Sequence, residues 1–101
     1  MSTLSTHVLD TATGTPAAGV PIRLETRTGE PLGQGVTDPD GRIGSLGGEL
    51  GPGDYVLRFD TAAYAPGFFP EVVVVFTVSD DRHHHVPLLL SPFGYSTYRG
   101  S

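Results

Sequence analysis

The chain has 101 residues, six Lys plus Arg against eleven Asp plus Glu, a formal net charge of -5 and no cysteine. This length fits one domain over residues 1–101, because two cores would each be too small. The acidic balance argues against a nucleic-acid partner, and the lack of cysteine excludes disulfides, thiolate catalysis and cysteine metal sites. Its apolar runs are far shorter than the roughly 18 residues that span a bilayer, so we expect a cytoplasmic protein without membrane contact.

Short β-branched segments separated by Gly and Pro predict an all-β sandwich. The predicted strands in chain order are 5–9, 21–26, 33–37, 42–43, 54–59, 72–78, 83–90 and 94–98. Turns rich in Gly, Pro and Asp are predicted at 13–16, 28–31, 38–41 and 51–54. The helix candidate is 61–65, with Asp60 or Thr61 as its N-cap and Pro66-Gly67 as its stop.

The segment 72–76 is apolar without alternation. This pattern is typical of a strand that is covered on both faces. Either the short helix or another subunit could provide that cover, and the pattern does not separate the two.

Histidines are the polar residues that most need an explanation in this chain. His7 lies in the first predicted strand, and His83, His84 and His85 lie together in a later one. Because side chains alternate between the faces of a strand, His84 points to the same side as Val86, which we expect to face the core, and His85 points to the opposite side. If the two strands are neighbours, His7 and His85 share the outward face of one sheet.

The plain alternative for the run of three histidines is a strand tip exposed to solvent. Metal ligation by His83 and His85 is geometrically possible, but no carboxylate cluster completes such a site, so no metal is expected.

Several motifs together resemble those of the 5-hydroxyisourate hydrolases, a transthyretin-like family. They are LSTHVLD at 4–10, DGR at 40–42, FFPE at 68–71 and HVPLLLSPFGYSTYRGS at 85–101. The DGR motif is weak alone, whereas the closing YRGS is a strong mark. Transthyretin, a small-ligand carrier on the same scaffold, lacks the two histidines, the arginine and the terminal tetrad. The resemblance therefore favours the enzyme, with a non-catalytic carrier as the alternative.

The resemblance implies a sandwich of two four-stranded sheets with one short helix, assembled as a homotetramer, a dimer of dimers with active sites between the dimers. It implies hydrolysis of a small purine-derived molecule, 5-hydroxyisourate, to 2-oxo-4-hydroxy-4-carboxy-5-ureidoimidazoline in urate breakdown, without metal or organic cofactor. The implied catalytic residues are His7, Arg42 and His85, and the implied substrate-binding residues are Tyr98, Arg99, Gly100 and Ser101. The two histidines would share base and acid duty, and the arginine would stabilise the oxyanion. His83 and His84 receive no role.

Overall fold

The computed structural model describes residues 2–100, which form nine strands and one short helix. In chain order the elements are β1 (Leu4–Asp10), β2 (Thr15–Pro16), β3 (Pro21–Thr26), β4 (Pro31–Val36), β5 (Arg42–Ile43), β6 (Gly53–Phe59), α1 (Thr61–Tyr64), β7 (Val72–Val78), β8 (His84–Ser91) and β9 (Gly94–Thr97). One sheet has the order β2-β1-β8-β9, with β5 also pairing with β1, and the other has the order β4-β3-β6-β7. The predicted all-β fold of two sheets with a short helix is confirmed for these residues.

The sheet that contains β1 has five strands instead of the predicted four, because the two-residue strand β2 joins it. The Gly and Pro residues of 13–16 predicted a turn here instead of a strand. Asp10 Oδ1 accepts a hydrogen bond from the backbone N–H of Ala12 at 3.0 Å, and Gly14 adopts a φ of 72°. The chain therefore reverses tightly, and Thr15 comes to lie opposite Asp10 as the start of a short antiparallel pair.

The first and eighth strands lie side by side and run parallel, although about eighty residues separate them in the chain. Ser5 lies opposite His85, and His7 lies opposite Pro87. The hydroxyl of the buried Thr6 donates to the carbonyl of Val86 at 2.7 Å and so satisfies a polar group inside the core. This pairing brings the N-terminal and C-terminal segments of the chain onto one sheet.

The hydrophobic core lies between the two sheets. The β1 sheet contributes Leu4, Val8, Val86 and Leu88, and the facing sheet contributes residues that include Ile22, Leu24, Leu57, Phe59 and Val72. These side chains are almost completely buried. Burial of each aliphatic side chain of this size stabilises the fold by about 1.5–3 kcal/mol, so the alternation of apolar residues determines which face of each strand turns inward.

Strand β7 is an edge strand whose outward face is open in the single chain. Val72 and Val78 are buried, but Val73 is 41% and Val75 is 50% exposed. The strand pairs with β6 on one side and ends the sheet on the other. Of the two covers considered from the sequence, the helix does not shield these valines, and another subunit remains.

The helix α1 begins after Asp60, as predicted. The Asp60 carboxylate accepts the backbone N–H of Ala63 at 3.2 Å, which satisfies one of the free donors of the first turn. The helix ends one residue earlier than predicted, before Ala65 and Pro66. Its four residues could not cross a bilayer, and residues 2–100 contain no other helix that is long and apolar enough to do so.

Candidate active site

The outward face of the β1 sheet brings together the three residues that the sequence analysis named as catalytic. His7 on β1 pairs with Arg42 on β5, and His85 lies on β8 opposite Ser5, the outward neighbour of His7. The inward parity of His84 is confirmed, because only 3% of this residue is exposed. Arg42 and His7 both lie close enough to His85 to act on its charge. One guanidinium and two imidazoles therefore share a surface of the sheet.

A tight turn holds Arg42 beside His7. Gly41 adopts a φ of 75°, and its carbonyl accepts the backbone N–H of Val8 at 2.7 Å. A Cβ at this position would lie 2.4 Å from the carbonyl oxygen of Val8, so the turn requires glycine. The carboxylate of Asp38 accepts the backbone N–H of Arg42 at 2.9 Å. The Asp-Gly-Arg motif thus serves to present an exposed guanidinium next to an imidazole.

His85 occupies a half-buried position. Burial lowers the pKa of its imidazole below the ordinary value of 6.5, and the nearby Arg42, His7 and His83 lower it further because positive charge disfavours the imidazolium. Its Nδ1 lies 2.7 Å from the hydroxyl of Ser5. No hydrogen bond engages its Nε2 in the described residues. A neutral ring with one free nitrogen can accept a proton from a bound water near neutral pH.

The C-terminal tail lies along His85. The backbone N–H of Gly100 donates to the carbonyl of His85 at 2.8 Å, and a Cβ added to Gly100 would lie 2.5 Å from Cδ2 of the imidazole. Tyr98 lies just beyond the end of β9 and is 55% exposed. Arg99 directs its guanidinium to Asp80 at 3.6 Å. Ser101, the fourth predicted binding residue, lies outside the described residues.

Two hydroxyl residues of this face were missed by the sequence analysis. Ser5 and Thr3 both form hydrogen bonds with His83, at Nε2 and Nδ1 respectively. The signal was present in the alternation of β1, since Ser5 has the same parity as His7. The hydrogen-bond partner of Ser5 could not be predicted, because the sequence does not show which strand lies beside β1.

His83 and His84 differ in burial and in hydrogen bonding. His83 is exposed and hydrogen-bonded, whereas His84 is buried with neither ring nitrogen hydrogen-bonded within residues 2–100. Asp80 Oδ1 is 3.7 Å from its Nε2. Over the same residues, no group of three or more His, Asp or Glu side chains is arranged to hold a metal ion. On the outward face, an imidazole that can transfer a proton lies beside a guanidinium that can bind an anionic oxygen.

Comparisons with known proteins show the family to which the chain belongs. A sequence model described as the HIUase/Transthyretin family matches residues 4–100. The chain is 48% identical over 115 residues to the 5-hydroxyisourate hydrolase of Caulobacter vibrioides, with full coverage of both chains. It is 46% identical to the uric acid degradation bifunctional protein TTL of Arabidopsis thaliana, over 97% of this chain and 37% of that protein. The chain thus spans little more than a third of the plant protein.

Solved structures agree with these matches. The 5-hydroxyisourate hydrolase of Klebsiella pneumoniae superposes with a TM-score of 0.92 at 43% identity, covering 100% of both chains. Sea bream transthyretin in complex with thyroxine superposes with a TM-score of 0.87 at 35% identity, covering 96% of this chain and 93% of that one. The matches confirm the resemblance drawn from the motifs and the transthyretin-like fold that it implied.

Proposed function

Because the chain belongs to the HIUase/Transthyretin family, we propose that it is the hydrolase that opens the ring of 5-hydroxyisourate in urate degradation. The product would be 2-oxo-4-hydroxy-4-carboxy-5-ureidoimidazoline. The observation that carries the proposal is the joint placement of His7, Arg42 and His85 on one sheet face, in a chain that shares 43–49% identity with several 5-hydroxyisourate hydrolases. The reaction needs a base, an acid and a donor for an oxyanion, and these three side chains can supply them.

His85 is the candidate that acts as general base toward water. Its lowered pKa keeps the ring neutral near pH 7, and proton transfer to such a base is typically worth about 100- to 10,000-fold in rate. Hydroxide then adds to the cyclic amide carbonyl, and the ring C–N bond breaks as the leaving nitrogen takes up a proton. His7 lies beside Arg42 on the same face, so it can share the acid and base duties.

Arg42 binds the developing oxyanion. Its guanidinium is a planar fork that matches the oxygen atoms of a planar heterocycle. It is exposed on the sheet face, so it is available to a substrate that approaches from outside. The tail residues Tyr98, Arg99, Gly100 and Ser101 would close the substrate site, with Gly100 already lying against the imidazole of His85. Neither a metal nor an organic cofactor takes part in this scheme.

A homotetramer would complete the site. In the single chain Arg42 is exposed and His85 is half-buried, whereas electrostatic catalysis gains most from a site that excludes water. Val73 and Val75 on the edge strand β7 are exposed as well, which suits pairing of subunits at this edge. We infer a dimer of dimers in which the His7 and His85 face is covered by another dimer. The cytoplasmic location expected from the sequence stays a prediction.

A direct assay tests the proposal. Urate oxidase generates 5-hydroxyisourate freshly, and its ultraviolet decay is followed with and without the protein. We expect acceleration that is lost by orders of magnitude in His7→Ala and His85→Ala. His84→Phe is the matched control in the same strand, because His84 faces the core and neither of its ring nitrogens forms a hydrogen bond within residues 2–100.

Two outcomes would contradict the proposal. Absence of any acceleration by the wild-type protein would refute the enzyme, and binding of a small aromatic ligand without turnover would favour the carrier. Light scattering that finds monomers would refute the tetramer but leave the catalytic roles to the activity assay.

A further inference from the structure

A line of hydrogen bonds runs along the outward face from His85 to the exposed end of the sheet. Ser5 Oγ lies 2.7 Å from Nδ1 of His85 and 2.7 Å from Nε2 of His83. The remaining nitrogen of His83, Nδ1, lies 2.5 Å from the hydroxyl of Thr3. The β1–β8 register sets this spacing, because Ser5 lies opposite His85 and the backbone N–H of His84 donates to the carbonyl of Thr3. The four side chains therefore form one connected line.

The Ser5 hydroxyl can couple the tautomers of the two rings in this line. The Ser5 hydroxyl carries one proton, so when it accepts a hydrogen bond from one imidazole it can donate to the other. In one polarity, Nδ1–H of His85 donates to Ser5 and the Ser5 hydroxyl donates to Nε2 of His83, whose Nδ1–H donates to Thr3. In the opposite polarity every proton in the line is reversed. In the first polarity Nε2 of His85 carries no proton and can act as a base. In the opposite polarity Nε2 of His85 carries a proton and can act as an acid.

The coupling matters because the surroundings of His85 disfavour a positive charge on its imidazole. Arg42 from β5 and His7 from β1 face the ring, and burial lowers the pKa of the imidazole. A full positive charge on His85 is therefore unfavourable. His83 is exposed, so water can solvate a positive charge there. Transfer of the positive charge from the half-buried ring of His85 to the exposed ring of His83 would relieve the cost of taking a proton.

We propose that Ser5 and His83 form a positioning relay that sets the tautomer of His85 and carries its proton to the surface during turnover. The relay deepens the proposed hydrolysis and rests on it. Neither residue needs to touch the substrate, since both act through the Nδ1 atom of His85. Such partners of a reacting histidine determine which of its nitrogens carries the proton.

The proton transfers balance without an outside reagent. Water gives a proton to Nε2 of His85, whose Nδ1 proton passes to Ser5, and the Ser5 proton passes to Nε2 of His83. Hydroxide adds to the carbonyl carbon while His83 holds the positive charge. When the ring C–N bond breaks, Nε2–H of His85 protonates the leaving nitrogen, and the Ser5 and His83 protons return along the line. The protein ends each cycle in its starting state.

Substitutions along the line test the relay through kcat, KM and the tautomer of His85. In Ser5→Ala and His83→Gln we expect kcat to fall by about 10- to 100-fold, the usual cost of losing a partner that orients a reacting histidine, with KM changed by less than about threefold. Ser5→Thr keeps the hydroxyl and should restore kcat to within about threefold. Ser96→Ala is the matched control, because Ser96 is an exposed serine opposite Leu89 in the same sheet.

An activity-independent measurement separates the relay from the proposed function. Nitrogen-15 NMR of the histidine rings should show one dominant tautomer of His85 in the wild type, lost in Ser5→Ala and retained in Ser96→Ala. If the wild type shows this pattern but no hydrolysis, the proposed function fails and the tautomer coupling stands. Full kcat in both Ser5→Ala and His83→Gln overturns the relay, as does a loss in Ser5→Ala that Ser5→Thr does not restore. His83→Gln alters an exposed side chain, so it tests the relay even if Ser5→Ala fails to fold.

Discussion

Gly100→Ala is a small substitution that should strongly disturb the proposed site. The added Cβ would lie 2.5 Å from Cδ2, 3.1 Å from Cγ and 3.3 Å from Cβ of His85, whereas ordinary contacts are 3.4–4 Å. Because two carbon atoms cannot approach as closely as 2.5 Å, the imidazole or the tail must move by about 1 Å to relieve the overlap. Either movement changes the position of His85 relative to Gly100, whose N–H now donates to the His85 carbonyl.

The magnitude follows from the sensitivity of catalysis to geometry. A misplacement of about 1 Å can cost about 100-fold in rate, so we expect kcat/KM of Gly100→Ala to fall by about that factor. The free energy of unfolding should change little, because the substitution lies outside the hydrophobic core. Activity is measured by the ultraviolet decay of fresh 5-hydroxyisourate, and stability by thermal unfolding.

Gly51→Ala is the matched control for this experiment. A Cβ at Gly51 meets no atom of residues 2–100 within 4 Å, and its φ is not in the left-handed region. We expect this variant to keep wild-type activity. If Gly100→Ala retained kcat/KM within about twofold of Gly51→Ala, the reasoning that links the tail to the position of His85 would be refuted.

Two further predictions concern the pH dependence and the turn before Arg42. Burial lowers the pKa of His85 below 6.5, so the neutral base persists at pH 6.5 and is lost only as the pH falls further; an NMR titration of His85 with a midpoint at or above 6.5 would contradict this. Gly41→Ala should lower the free energy of unfolding, because Gly41 has a φ of 75° and an added Cβ would lie 2.4 Å from the Val8 carbonyl oxygen. We expect a loss of at least about 1–2 kcal/mol from the backbone conformation alone, with kcat reduced because Arg42 moves. An unchanged thermal midpoint would count against that account of the turn.

Much of the architecture could be read from local patterns. Alternation of apolar and polar residues predicted that His84 turns inward with Val86 while His85 turns outward, and the structure confirms this parity. Turn residues separated the strands, and the short helix began where Asp60 predicted. These features depend on backbone sterics and side-chain alternation over a few residues, which the sequence contains directly.

The strand β2 shows where local patterns were insufficient. Thr15–Pro16 has too few residues to produce an alternation signal, so it could not be distinguished from the turn that precedes it. Its pairing with β1 depends on the reversal at Gly14. Likewise, the apolar run of β7 predicted cover on both faces, while the single chain leaves Val73 and Val75 exposed.

The site required contacts between parts of the chain that are far apart in sequence. His7 and His85 could be assigned an outward face from alternation and a role from the family resemblance, but that resemblance did not predict that Ser5 bridges His85 and His83. The same holds for Gly100 against the His85 ring. Which strands become neighbours is decided by burial of the whole core and by backbone pairing over the full sheet, so local residue patterns specified the faces and the tertiary structure specified the partners.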